Sequence, residues 1–205
     1  MKISLSDIGK RFNREWIFRH ISFDFESGNH TVITGSNGSG KSTLLQLIAG
    51  SLTPNEGNIL FESKGKLIPN EHYYTHISIA APYLDLPGEM TLKEFLTFHV
   101  QFKPFIQNLS VEDIINYIDL EKASEKQIRY FSSGMMQRVK LAQAIFSDTA
   151  VILLDEPGTN LDEKGIGLYL SLISNYCAER LIIVSSNDPK EYPFCNRNLP
   201  IIRYK

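Results

Sequence analysis

The stretch Gly35-Ser36-Asn37-Gly38-Ser39-Gly40-Lys41-Ser42-Thr43 constrains the fold of this chain more than any other. It fits G-x-x-x-x-G-K-[ST], a loop whose glycines let the backbone curl until its N–H groups point inward at phosphate oxygens. Such a loop belongs between a buried strand and a helix N-terminus, where the helix dipole adds positive potential. The flanks supply both. His30-Thr31-Val32-Ile33-Thr34 reads as a short buried strand. Leu44, Leu45, Leu47 and Ile48 then recur at helical spacing, up to a Gly50 stop with Pro54 beyond it. The ligand class that follows is a nucleoside triphosphate with Mg²⁺. Lys41 is expected on the β- and γ-phosphates and the Ser42 hydroxyl on the metal.

The whole chain is 205 residues of ordinary globular composition, 42 % hydrophobic and 21 % charged. That length suits one domain, or one domain with a small insertion. A formal charge of −2 gives no reason to expect nucleic acid as a partner. No run approaches the roughly 18 apolar residues of a membrane span. The N-terminus, Met1-Lys2-Ile3-Ser4-Leu5-Ser6-Asp7, alternates like a strand and does not resemble a signal peptide. Cys177 and Cys195 have no spacing pattern, which suggests reduced thiols in a cytosolic protein. His72 and His76 lack a third ligand and read as surface residues, not a metal site.

Along the chain, residues 2–12 and 17–25 read as two strands joined by the polar turn Asn13-Arg14-Glu15. Strands are expected at Gly57–Glu62 and His76–Ala80. From Pro82 the texture turns helical. Thr91-x-x-Glu94 is a capping box ahead of a stripe of Leu92, Phe95, Leu96 and Phe102, ended by Pro104. Ser110-x-x-Asp113 caps a helix carrying Ile114, Ile115 and Ile118, and a third helix is expected near 135–147 with Val139, Leu141, Ala142 and Ile145. The α/β texture then returns: strand 151–154, helix 163–178, strand 181–185 and an apolar stretch at 199–203. A parallel α/β core, interrupted by a helical segment of about 83–146 and preceded by an antiparallel β unit, is the economical arrangement.

The run Ala150-Val151-Ile152-Leu153-Leu154-Asp155-Glu156-Pro157 is apolar and ends in two acids. Residues just past the carboxyl end of a parallel strand lie where ligands bind. Asp155 is thus placed to hold Mg²⁺, and Glu156 to orient or deprotonate an attacking water. A helix N-cap after a core strand would explain one acid but not both.

Between these two elements lies Tyr130-Phe131-Ser132-Ser133-Gly134-Met135-Met136-Gln137-Arg138-Val139. Here the chain resembles the ATP-binding cassette (ABC) ATPases over essentially its full length. Phe131, Ser132, Ser133, Gly134 and Met135 stand where that family has its Leu-Ser-Gly-Gly-Gln signature loop, and Gln137-Arg138 follow in step. The fold so implied is a P-loop NTPase parallel-sheet core with an antiparallel β subdomain and an inserted helical subdomain. Two ATPs would be sandwiched in a head-to-tail dimer, with the loop Ser132, Ser133, Gly134 and Met135 facing the γ-phosphate of the other subunit's ATP and Ser132 and Gly134 as the contacts. Asn160, Leu161 and Asp162 match the D-loop, which threads between the subunits. Phe12 resembles the aromatic that stacks on adenine, with Trp16 as a nearby rival.

Two departures from the family pattern stand out. The Gln that should follow the strand at 76–80 falls on Pro82, or on Ala81 with a one-residue slip. Neither side chain can donate a hydrogen bond. Asn187 occupies the place of the switch His after the last core strand, so it can hydrogen-bond a γ-phosphate oxygen but cannot carry a proton. Together they imply a slow but real ATPase. The leading function implied is the ATP-hydrolysing subunit of an ABC transporter, working with a second copy or a homologous subunit and a separate transmembrane permease, on the cytoplasmic face of the membrane. Tyr83-Leu84-Asp85-Leu86-Pro87 is a candidate permease contact, or a buried loop between subdomains. The alternative is a soluble ABC-type ATPase of assembly. A GTPase would need Asn-Lys-x-Asp, which is absent, and a nucleotide kinase would not need Ser132-Ser133-Gly134 opening a helix.

Overall fold

A computed structural model describes all residues, 1–205. The chain opens with a long hairpin, β1 (Lys2–Phe12) and β2 (Glu15–Glu26), then β3 (Thr31–Thr34) and α1 (Lys41–Ile48). β4 (Glu56–Ser63), β5 (Lys66–Ile68), the single turn α2 (Tyr73–His76) and β6 (Ile77–Ala80) follow. The helical segment contains α3 (Leu92–His99), α4 (Val111–Tyr117) and α5 (Ser133–Phe146). The chain closes with β7 (Val151–Asp155), α6 (Glu163–Tyr176), β8 (Leu181–Ser185) and β9 (Arg197–Pro200).

These strands form two sheets. One is antiparallel, in the order β2-β1-β4-β5; the other is parallel, in the order β6-β7-β8-β3-β9. The parallel sheet is covered on both faces, which is why β7 and β8 read as unbroken apolar runs. Ile152, Leu154, Ile182 and Val184 face a core shared with α3 to α6. Val151, Leu153, Leu181 and Ile183 alternate to the other side, against α1 and the antiparallel sheet. Burying Leu44, Leu45, Leu47 and Ile48 of α1 in that second core contributes about 1.5–3 kcal/mol per side chain.

Every strand expected from sequence is present, and β5 and α2 are additions too short to carry a period. One helix differs. α3 ends at His99, and Phe102 lies beyond it, 71 % exposed and edge-on to Phe98 instead of on the buried stripe. The reason is a hydrogen-bonded turn in which the Phe102 and Lys103 N–H groups both donate to the His99 carbonyl. The capping boxes at Thr91 and Ser110 both form. His72 is exposed and no His, Cys, Asp and Glu cluster with metal-holding geometry exists. No helix is long and apolar enough to cross a membrane.

Candidate nucleotide site

Three parallel strands, β3, β7 and β8, deliver the site residues to one edge. β3 lies beside β8, and β8 beside β7 with Asp155 opposite Ser185. Everything that follows these strands therefore converges where β3 turns into α1. In the glycine loop the Ser39 N–H donates to the Ser36 carbonyl, and the first helical hydrogen bond runs from Leu44 N–H to the Gly40 carbonyl at 2.9 Å. The N–H groups of Lys41, Ser42 and Thr43 are left without intrahelical partners and are free for phosphate. Gly40 caps the helix at φ 101°, and a Cβ there would sit 2.5 Å from Ile17 Cγ2. Only glycine permits both the left-handed turn and this approach of the loop to β2.

Lys41 is 5 % exposed, and its Nζ donates to the Gly35 carbonyl at 2.8 Å. The same ammonium lies 3.5 Å from Glu156 Oε1. Glu156 takes a left-handed φ of 44°, and its N–H donates to the Ser185 carbonyl at 2.8 Å. That conformation turns the chain sharply at the end of β7, directing the carboxylate toward Lys41. Burial pushes the Glu156 carboxyl above its usual range; Lys41 opposes the shift and Asp155 adds to it. The net upward direction suits a general base, which works best when its proton affinity lies nearer the working pH.

Asp155 is 1 % exposed and its Oδ1 is buried with no hydrogen-bond partner. Leaving a buried carboxylate oxygen unpaired is costly, so the site fits a cation there. Ser185 Oγ, opposite it at the end of β8, and Ser39 Oγ of the glycine loop are likewise buried and unpaired. After β8, Asn187 reaches back across the site, its Oδ1 accepting the Gly35 N–H at 3.1 Å.

The signature loop is organised by α5. Ser132 is its N-cap and accepts the Met135 N–H at 3.3 Å, and Ser132 and Ser133 are exposed. A Cβ on Gly134 would lie 3.0 Å from the Asn160 carbonyl, so the signature and D-loop segments touch within one chain. Gln137, buried on α5, donates to the Pro157 carbonyl at 2.8 Å and ties that helix to the segment just after Glu156. Asp162 caps α6 through the Gly165 N–H at 2.7 Å, and Leu161 is half-buried against the helical core.

For the base, Phe12 is 48 % exposed at the hairpin tip, with Lys10 Nζ 5.2 Å from its ring. Trp16 is already covered, by Arg19 at 4.3 Å and Arg11 at 5.5 Å. Ile17 and Phe18 of the same hairpin flank Gly40, so its tip borders the phosphate loop.

One further residue gave no sequence signal. Glu191 is 5 % exposed, and its Oε1 accepts the Gly158 N–H at 2.9 Å beneath the D-loop segment. It sits in a short polar stretch, and nothing in that pattern distinguishes a buried acid from a surface one.

With this geometry in place, the family described as ABC transporter matches residues 18–159. The chain belongs to that family. It is 32 % identical over 197 residues to the cytochrome c biogenesis ATP-binding export protein CcmA of Rhizobium etli, covering 91 % of this chain and 87 % of that protein. It is 30 % identical over 171 residues to the sulfate/thiosulfate import ATP-binding protein CysA of Pseudomonas putida, covering 80 % and 52 %. The fold matches that of a putative ABC transporter ATP-binding protein from Pyrococcus furiosus, with a TM-score of 0.82, 22 % identity and full coverage of both chains. It also matches the dimeric ATP-binding cassette MJ0796 bound to ADP and Pi, with a TM-score of 0.81, 21 % identity and coverage of 96 % and 92 %. Membership in the ABC family makes ATP binding and hydrolysis the chain's activity and transport its setting.

Proposed function

We propose that this chain, as one unit over 1–205, is the energising subunit of a transporter that closes on a second copy or a homologous subunit around two Mg-ATP. The observation that carries this reading is the meeting of Lys41, Glu156 and the unpaired Asp155 oxygen at the mouth of the glycine loop. Lys41 and the N–H groups opening α1 hold the β- and γ-phosphates, with Asn187 contributing an amide donor. Phe12 stacks on the adenine. Glu156 accepts the proton of the water that attacks the γ-phosphorus in line. Ser42 and Asp155 would hold Mg²⁺, which neutralises phosphate charge. Ser132 and Gly134 approach the γ-phosphate from the facing subunit, and Asn160, Leu161 and Asp162 line the seam.

Closure then requires nucleotide and hydrolysis releases it. A separate transmembrane permease, docked on the helical segment from the cytoplasmic side, converts that cycle into movement of cargo. The absence of an amide at Ala81 and Pro82 and of a proton carrier at Asn187 makes turnover slow, since each lost phosphate contact costs tenfold or more in rate. The test is capture of the tagged chain from detergent-solubilised native membranes, with its companions identified by mass spectrometry. A multi-span protein recovered in stoichiometric amount is the expected result. Recovery only from the soluble fraction, alone or with a soluble partner, would contradict the transporter reading.

A further inference from the structure

β9 runs parallel to β3 in a register that sets Ile33 beside Leu199 and Thr34 beside Pro200. The next residues along the two strands are Gly35, which opens the glycine loop, and Ile201. Side chains join the strands as well, the Thr34 hydroxyl donating to Asn198 Oδ1 at 2.8 Å. Pro200 has no N–H with which to extend the ladder, and the chain winds there into a short helical turn, Ile201–Tyr204. That turn buries Ile201 completely and rests Tyr204 on the core that also holds α1.

Gly35 has no side chain to fix its own peptide, so its neighbours dictate where it lies. A Cβ there would sit 2.7 Å from Ile201 Cγ2 and 2.6 Å from Ser39 Oγ. The space of the missing side chain is thus filled by Ile201 and Ser39. The Gly35 N–H donates to Asn187 Oδ1 at 3.1 Å, and its carbonyl accepts Lys41 Nζ at 2.8 Å. Whatever places Gly35 therefore places the Lys41 ammonium. Two of its supports, Asn187 and Ile201, come from the part of the chain that follows β8.

We infer that Ile201 is a positioning residue for the nucleotide site, its Cγ2 methyl packing against Gly35 and so setting the carbonyl that holds Lys41 at the phosphates. The position of that methyl matters here, beyond the apolar volume it adds to the core. This deepens the reading of Lys41 and the glycine loop as the phosphate cradle, and rests on it.

The test is calorimetric titration of the full chain with Mg-ADP and with a non-hydrolysable ATP analogue, paired with thermal melting of the nucleotide-free chain. Ile201→Leu keeps the side-chain volume but removes Cγ2, whereas Ile201→Val keeps Cγ2 and removes Cδ1. Each lowers the melting temperature by about 1–5 °C, as conservative core changes do in a chain of this size. Only Ile201→Leu loses affinity, roughly five- to twentyfold for both nucleotides alike, part of the worth of a charge-assisted contact. Ile201→Val binds both within about twofold of wild type, less than one hydrogen bond is worth. Wild-type affinity in Ile201→Leu, or a loss in Ile201→Val as large as that in Ile201→Leu, would overturn the inference, since a residue acting through stability alone treats the two changes alike. Lys41→Met is expected to lose about tenfold or more for both nucleotides. Wild-type affinity in Lys41→Met would instead overturn the phosphate-cradle reading, and this inference with it.

Discussion

Replacing Asn187 with Ala separates two jobs of one side chain, a loop contact seen in the structure and a phosphate contact proposed for it. Asn187 Oδ1 accepts the Gly35 N–H at 3.1 Å in a solvent-accessible setting. A neutral bond of that kind is worth about 0.5–1 kcal/mol, or roughly two- to fivefold in affinity. It orders the first peptide of the phosphate loop and is felt by ADP and ATP alike. The Nδ2 group, with its oxygen so engaged, is the donor left for a γ-phosphate oxygen, a charge-assisted bond worth about 1.5–3 kcal/mol and available only with ATP. The two sum to about 2–4 kcal/mol, so kcat/KM for ATP should fall roughly 30- to 1000-fold in Asn187→Ala. ADP affinity should fall only about two- to fivefold. Phosphate release at low ATP gives the first quantity, and calorimetric titration with ADP the second. Equal effects on ADP and ATP would show that Asn187 acts through Gly35 alone. A loss of kcat/KM under about threefold would refute the argument, since it falls below one hydrogen bond to a charged partner.

Two further outcomes concern the frame around the site. Arg180 is 9 % exposed and donates to the Thr149 carbonyl at 2.6 Å, to Thr149 Oγ1 at 2.7 Å and to the Ile145 carbonyl at the end of α5. Arg180→Met leaves those acceptors unpaired at a cost of about 2–4 kcal/mol, so thermal unfolding should drop by roughly 5–15 °C; a fall under about 2 °C would contradict the role. Burial raises the Glu191 carboxyl above its usual value near 4.5, so the folded chain holds this proton at pH values where the unfolded chain has released it. Stability contributed by Glu191 is therefore full below its usual value and is lost as pH rises through the raised one. Glu191→Gln removes that dependence, flattening the melting temperature over the same interval, and an unaltered pH profile would sink the assignment.

How far the chain could be read in advance follows from where its signals are local. The glycine loop, the two acids after an apolar strand and the Ser132 cap are set by neighbouring residues, and each lies where its pattern places it. The helix with Leu92, Phe95 and Leu96 was legible, yet its end was not. Phe102 fits the period, but the turn closed on the His99 carbonyl ends the helix first. That two arginines, from β1 and β2, lie over the indole of Trp16, the rival of Phe12, is visible only in three dimensions. Glu191 was illegible for the same reason. Its partner, Gly158, is far off in sequence, and a lone acid in a polar stretch carries no period. In the loop 83–87, read as a docking surface or a buried connection, Leu86 packs on the helical core while Tyr83 is 44 % exposed.

The central claim is that Glu156, set 3.5 Å from Lys41 at the end of β7, is the base for hydrolysis at the glycine loop. It is tested most directly by steady-state phosphate release from Mg-ATP by wild type and Glu156→Gln. The amide keeps the shape and nucleotide affinity but cannot accept the water's proton, so turnover should fall by roughly 10²–10⁴-fold while ATP binding persists. Turnover by Glu156→Gln equal to wild type would contradict the account and leave the chain an ATP-driven clamp without its own hydrolytic chemistry.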